Sequence, residues 1–477
     1  MNKNNTAYYG GLTGIVVTPN DPLYDEARQE WNRAIQRFPA AIVYCKTGQD
    51  AANAVKWSRK RGVPLRIRSG GHHFEGYSTG NWVLVIDISL LTGIHLGEDS
   101  VTVEAGVRFE AFYEAVASKG YPFPGGSCPT VGLSGYTLGG GWGLSARLLG
   151  LGCDSLIEAE MVDFEGRLLK ASAVSNPDLF WALRGAGGGN FGIVISMTYR
   201  LSPKVEKITT VEFAYPATGQ VKQAQFLNAW QIWLFKANRR ITAVASLYHT
   251  PEDGFAIYGF GLYYGSSQDA KKEMAPLEAV GGGLYEYIEM TLYEALKVVM
   301  EGYPPYEMFK STGRFVLKPL SVEELLRTAG LIREVPEGSD LTALSLYAMG
   351  GRIGDTGRRD TAFFYRNALY IIGIQSVWSD PKYAKINEAW VEGRFQYLKC
   401  ITEGSFVNFP ISGLVDYTEE YFGLNAEKLR LVKEKYDPFN VFCFPQSIKP
   451  LRTCRDEQIC TDAQACKGDQ RYEDVQA

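Results

Sequence analysis

Histidine is scarce in this chain, with four among 477 residues. Imidazole chemistry therefore has few addresses, and no His/Cys grouping has the spacing of a zinc site. Charge of one sign is also missing. Lys and Arg number 49 against 53 Asp and Glu, a net of −4, with no long basic block. That balance argues against nucleic acid or an anionic membrane as a partner. No run approaches the ~18 apolar residues of a membrane-spanning helix. No apolar secretory segment follows Met1, so the expectation is a cytoplasmic protein, with export by another route left open. Internal repeats and low-complexity segments are absent. The eight cysteines are spread thinly, and Cys454, Cys460 and Cys466 recur every six residues in a polar tail. That period matches neither one helix face nor a C-x-x-C pair, so free thiols in a loose tail are expected, with cross-linking left open.

Glycine, by contrast, is abundant, and its placement organises the chain. Between Gly125 and Leu144, eight of twenty residues are glycine, and Cys128 stands near the start of the stretch. Glycine at this density allows positive φ and lets backbone approach a ligand with no Cβ in the way. Successive N–H groups in such loops form anion-binding concavities. A second glycine loop, Arg68-Ser-Gly-Gly-His72, closes an apolar segment, and a third runs from Arg184 to Asn190. Two loops carrying His72 and Cys128 point to a large phosphate-bearing cofactor held from two sides.

The length favours two domains over one core. Up to about residue 203, short strands alternate with helices in an α+β order. Residues 1–20 read as an irregular arm. Strands are expected at 40–44, 64–68, 84–88, 92–96, 100–104, 153–162, 167–171 and 193–201. Helices are expected at 50–61, closed by Gly62, at 109–119, closed by Gly120, and at 177–183. From Pro203 to about Phe406, alternating strands (209–213, 243–248, 256–264, 343–349, 368–377) and polar helices (221–236, 266–277, 383–398) suit an antiparallel sheet backed by helices. A further helix is expected at 426–436.

The loops around His72 and Cys128 resemble those of the berberine-bridge-enzyme branch of the FAD-linked oxidases, with a PCMH or vanillyl-alcohol-oxidase type of flavin domain. The resemblance runs on through Gly187-Gly-Gly-Asn-Phe-Gly-Ile-Val194 to Tyr436-Asp-Pro-Phe-Asn-Val-Phe442 and Pro445-Gln-Ser447. It implies a two-domain α+β flavoprotein. The expected division is an N-terminal arm (1–34), an FAD-binding domain (35–203), a substrate-binding domain with an antiparallel sheet (204–405), a segment returning to the FAD domain (406–450) and the cysteine-bearing tail (451–477). It also implies FAD bonded twice, His72 to the 8α-methyl and Cys128 to C6 of the ring. The other cofactor-binding residues it implies are Arg68, Ser69, Gly70, Gly71, Gly132, Gly135, Gly139, Gly140, Gly141, Gly143, Leu144, Asn190, Gly192, Ile193, Val194 and Asn408. No metal is expected.

The implied reaction is hydride transfer from a CH–OH or CH–NH carbon of a bulky oligosaccharide or aromatic substrate to flavin N5, with O2 reoxidising the flavin to give H2O2. Val131 occupies the position that stands over flavin C4a in the family, where valine goes with oxygen access. The family's usual tyrosine base is missing. Its motif reads Phe406-Val-Asn-Phe409, and its supporting tyrosine is Phe74. The usual tyrosine of Gly-Gly-Gly-Tyr-Gly is Trp142, and the usual Gly-Gly-His is Gly135-Tyr136 after Ser134. Gln375 aligns with a strand position facing the substrate, where relatives sometimes carry a carboxylate; it can orient but not deprotonate. Tyr136, His73 and Tyr77 remain as proton-active candidates, each with a packing role as the alternative. Without a base, an amine or a readily ionised phenol suits the site better than a sugar hydroxyl. The competing accounts are a flavin dehydrogenase using another acceptor and a catalytically degenerate coat protein.

Overall fold

The computed structural model describes residues 9–451. The tail with Cys454, Cys460 and Cys466 lies outside the described residues. The strands are β1 (Ile15–Val17), β2 (Ala41–Tyr44), β3 (Leu65–Arg68), β4 (Leu84–Asp87), β5 (Ile94–Leu96), β6 (Ser100–Glu104), β7 (Leu156–Val162), β8 (Leu168–Ser172) and β9 (Ile193–Arg200), followed by β10 (Ile208–Tyr215), β11 (Ile241–Thr250), β12 (Gly254–Tyr263), β13 (Leu284–Met290), β14 (Met308–Val316), β15 (Ser339–Ala348), β16 (Tyr370–Trp378) and β17 (Glu403–Ser405). They form three sheets, ordered β1-β2-β4-β3, β5-β6-β9-β7-β8 and β13-β10-β12-β11-β15-β16-β14-β17. The last is antiparallel throughout, and the fold class is α+β.

The first sheet sets up the site. Helix Gly48–Arg61 begins on a capping box between Thr47 and Asp50 and ends on Gly62 at φ 63°, so both ends are written in the sequence. The chain then enters β3, which runs parallel to β4 with Arg68 opposite Asp87. The Arg68 Nε bonds the Asp87 carboxylate at 2.5 Å, and the two strands end together. The loop carrying His72 therefore leaves from a fixed carboxyl edge, where α/β sheets commonly place ligand sites.

Several expectations need correction. The arm is not wholly irregular, because β1 pairs antiparallel with β2. The glycine stretch is not one loop: Leu133–Leu138 is helical inside it. Cys153 lies in the 3-10 turn Gly152–Asp154, one turn ahead of β7. The helix expected at 109–119 changes to 3-10 form after Val116. Strands β13, β14 and β17 and helices Leu292–Glu301 and Val322–Gly330 went unpredicted. β13 is an exposed edge strand punctuated by glutamates. β14 is buried on both faces yet carries Lys310, Ser311, Thr312 and Arg314, so no apolar pattern marks it.

Candidate functional site

A cavity of about 420 Å³ opens between the glycine loops and the eight-stranded sheet. Its lining begins with Ser69, Gly70, Gly71 and His72 after β3, and with Cys128, Val131, Gly132 and Gly135 from the long glycine stretch. The two loops meet backbone to backbone. A side chain at Gly70 would meet the Gly132 amide and the Thr130 carbonyl, and one at Gly132 would meet Ser69 Oγ. Only glycine permits that approach. Both Ser69 and Ser134 donate to the Ala105 carbonyl, at 2.9 and 2.6 Å, which pins the loops to one point.

The contact brings His72 and Cys128 to one hydroxyl. His72 Nε2 lies 2.8 Å from Thr130 Oγ1, and Cys128 Sγ lies 3.6 Å from the same oxygen. Trp31 stacks on the His72 ring with centroids 4.9 Å apart. Burial, reinforced by Arg108, pushes the His72 imidazole down to about 3, so it stays neutral. Burial pushes the Cys128 thiol up, opposed by the Thr130 hydroxyl and the Thr130 and Val131 amides.

Toward the other end, Gly187, Gly188, Gly189, Asn190, Gly192 and Val194 form the wall. Gly135 would place a Cβ in open space, and Gly188 and Gly189 would meet nothing closer than 3.7 Å. The backbone here thus faces a volume that side chains would fill. Arg66, 4% exposed, lines the same cavity. Its Nη1 donates to the Leu65 and Cys443 carbonyls, while its buried Nε has no partner among the described residues. A guanidinium donor left over beside glycine loops fits an anionic, phosphate-bearing group. His72, Cys128 and Thr130 at one end and Arg66 with the glycines at the other suit a dinucleotide such as FAD.

The roof is aromatic. Phe74 stacks on Phe409 at 5.3 Å and meets Phe309 edge-on at 5.1 Å. Tyr347 contacts both Trp142 and Phe409. Gln375 of β16, opposite Ser311 of β14, lines the cavity. Asn408 also lines it and donates to the Tyr136 carbonyl at 2.9 Å.

Other expected residues lie off the cavity lining. Arg68 is absent from the lining and is spent on Asp87 and Glu30. Gly139, Gly140 and Gly141 do not line the cavity; they are glycine because Asn408, Phe363 and Tyr136 crowd them. Ile193 is fully buried in the core. Gly143, Leu144 and Tyr136 do line the cavity. The Tyr136 hydroxyl, however, donates to the Pro124 carbonyl at 2.6 Å, and burial holds the phenol well above its ordinary value. His73, pushed down to about 4 by burial, accepts from the Glu75 amide through Nδ1 and packs on Tyr77. Burial raises the Tyr77 phenol.

Sequence reasoning missed Glu307, among the described residues the one carboxylate in the lining. Glu75 nearby is taken by Lys310 at 2.7 and 3.0 Å, but among the described residues no donor holds Glu307. Burial alone pushes it up to about 7. It faces the cavity lip with Tyr303, whose hydroxyl lies 2.5 Å from Ser127 Oγ, and its charge is felt by Cys128 and Tyr303. The segment after Pro304-Pro305 carries no motif that would have marked it.

Residues 39–172 match the family model for an FAD binding domain, and residues 405–449 match the "Berberine and berberine like" model. The uncharacterized FAD-linked oxidoreductase YgaK of Bacillus subtilis (strain 168) is 37% identical over 450 residues, covering 92% of this chain and 98% of that protein. The tetrahydroberberine oxidase of Berberis wilsoniae is 28% identical over 439 residues, covering 82% of each. Among solved structures, a chitooligosaccharide oxidase superposes with a TM-score of 0.85 at 25% identity, covering 94% of this chain and 100% of that one. With the cavity and its loops, these matches establish that the chain belongs to the berberine-bridge-enzyme-like family of FAD-linked oxidoreductases.

Proposed function

We propose that the chain is an oxidase holding FAD through both His72 and Cys128, and that it oxidises a CH–NH or CH–OH carbon of a bulky, largely apolar substrate. The observation that carries this is the meeting of His72 and Cys128 at Thr130, on the floor of a cavity whose far wall suits phosphate. Segments 35–203 and 406–450 hold the cofactor in this account, and 204–405 roofs it. When bound, FAD supplies the two-electron acceptor, with dioxygen as the final oxidant and H2O2 as product; Val131 in the lining leaves room for oxygen.

The roof supports an amine or a phenol over a sugar. Phe74, Phe309 and Phe409 offer rings rather than hydroxyls, and rings receive cations and aromatic planes well. Glu307 takes the substrate N–H or O–H proton on its carboxylate, poised near neutral pH as a general base should be. Gln375 orients the substrate by hydrogen bonding.

An anaerobic screen of cyclic amines, phenols, aromatic alcohols and oligosaccharides tests the reading. Bleaching of the yellow protein by an amine or phenol, followed by rapid return of colour in air with H2O2 release, is the expected outcome. Bleaching with slow return in air would make the protein a dehydrogenase, and no bleaching by any class would remove the oxidase assignment.

A further inference from the structure

We infer that Thr130 is the positioning residue for cofactor attachment, one hydroxyl that orders both His72 and Cys128 for bonding. The inference rests on the two-point attachment proposed above. Thr130 Oγ1 lies 2.8 Å from His72 Nε2 and 3.6 Å from Cys128 Sγ. A hydroxyl donates one hydrogen bond and accepts two, so a single directed chain satisfies all three groups. In the direction inferred, His72 Nε2–H donates to Oγ1 and the Thr130 hydroxyl donates to the sulfur.

That direction has two chemical results. Fixing the proton on Nε2 leaves the lone pair on Nδ1, because the bond made by one ring nitrogen sets the role of the other. Burial keeps Cys128 toward the thiol, and the Thr130 hydroxyl with the amides of Thr130 and Val131 works against that burial, toward the thiolate that is the nucleophilic form. The backbone on either side of Thr130 is pinned. The Pro129 carbonyl accepts from Glu110 N at 3.0 Å, and the Val131 carbonyl accepts from Phe109 N at 3.2 Å. Trp31 stacks on the other partner, with 25° between the Trp31 and His72 rings, and so resists rotation of the imidazole.

Both bonds balance with dioxygen as oxidant. At the methyl group, a C–H bond and the imidazole N–H are lost and a C–N bond forms. At the ring carbon, a C–H bond and the thiol S–H are lost and a C–S bond forms. Each bond releases two protons and two electrons, which convert one O2 to one H2O2.

The test compares wild type, Thr130→Val and Thr130→Ser as purified holoproteins. Intact mass after acid denaturation reads total attached flavin, and peptide mapping reads the His72 and Cys128 linkages separately. Wild type and T130S are expected to be doubly linked, with T130V at least tenfold poorer in doubly linked protein. Rescue by serine assigns the effect to the hydroxyl rather than to packing. Should T130V fail to fold, Thr130→Ala removes the same hydroxyl with less bulk and is held to the same expectation. Wild-type double linkage in a folded T130V or T130A overturns the role of Thr130 alone. Wild type carrying no attached flavin overturns the two-point attachment, and the role of Thr130 with it.

Discussion

Among the side chains facing the cavity, Glu307 is the carboxylate, and burial moves it from an ordinary 4.5 to about 7. The sign of its effect on stability follows from proton binding. Between those values the folded protein holds a proton that the unfolded chain releases, so this residue makes stability fall as pH rises through the window. Glu307→Gln removes the effect. Thermal melts should therefore show the variant and wild type alike below about pH 4.5, with the variant more stable by about 2–4 °C at pH 8.5. The same variant tests the base. The acid limb of kcat/KM near pH 7 should vanish, and kcat should fall about 10²-fold or more; an unchanged limb would remove Glu307 from the chemistry. His72 and Cys128 could be found from the sequence because their loops carry glycine at fixed offsets. Glu307 could not, since its character comes from burial in a cavity also lined by rings from β14, the His72 loop and the Phe409 turn.

At the scale of elements, the site depends on one backbone contact, Gly70 against Gly132. Gly132 sits at φ −71°, a value any residue accepts, so its need for glycine is steric rather than conformational. A Cβ there would lie 2.8 Å from the Gly70 amide. Gly132→Ala should part the loops at a cost of about 1–3 kcal/mol. Denaturant melts should register that loss, and absorbance of the acid-washed protein should show depleted attached flavin. Melts and attachment both matching wild type would mean that the contact does not set the site. Helix Gly48–Arg61 was legible in the sequence because a capping box and Gly62 mark its two ends, and β4 because it is a short apolar run between turns. The short helix Leu133–Leu138 was hidden by its own composition, since glycine before, within and after it reads as loop. Strand β14 was hidden for the opposite reason. Its polar side chains are buried and paired inside, Lys310 with Glu75 and Arg314 with Glu420, so the period that marks a half-exposed strand is lost.

Across the whole molecule, two buried cations tie distant segments together, Lys433 at the cavity wall and Arg147 against the eight-stranded sheet, and they should fail differently. Lys433 is fully buried and bonds Asp437 at 2.6 Å. It also donates to the carbonyls of Asn190, at 2.6 Å, and Phe442, at 2.8 Å, and both of those residues line the cavity. Arg147 is buried where β11 begins and β15 ends. It donates to the carbonyls of Ile241, Ala237 and Met349 at 2.9, 2.7 and 2.5 Å, and burial brings it down to about 10. Lys433→Met strands a buried carboxylate, which costs about 3–5 kcal/mol, and it frees the wall around Asn190. Arg147→Met strands carbonyls at about 1–3 kcal/mol each, and it frees the eight-stranded sheet from the helix at Ala146–Leu149. The first variant should therefore lose bound flavin, measured as the ratio of visible to protein absorbance. The second should keep wild-type flavin content while KM for the substrate rises several-fold. If both variants lost flavin equally, wall and roof would behave as one cooperative body, and the assignment of cofactor and substrate to opposite faces of the cavity would have no mechanical basis.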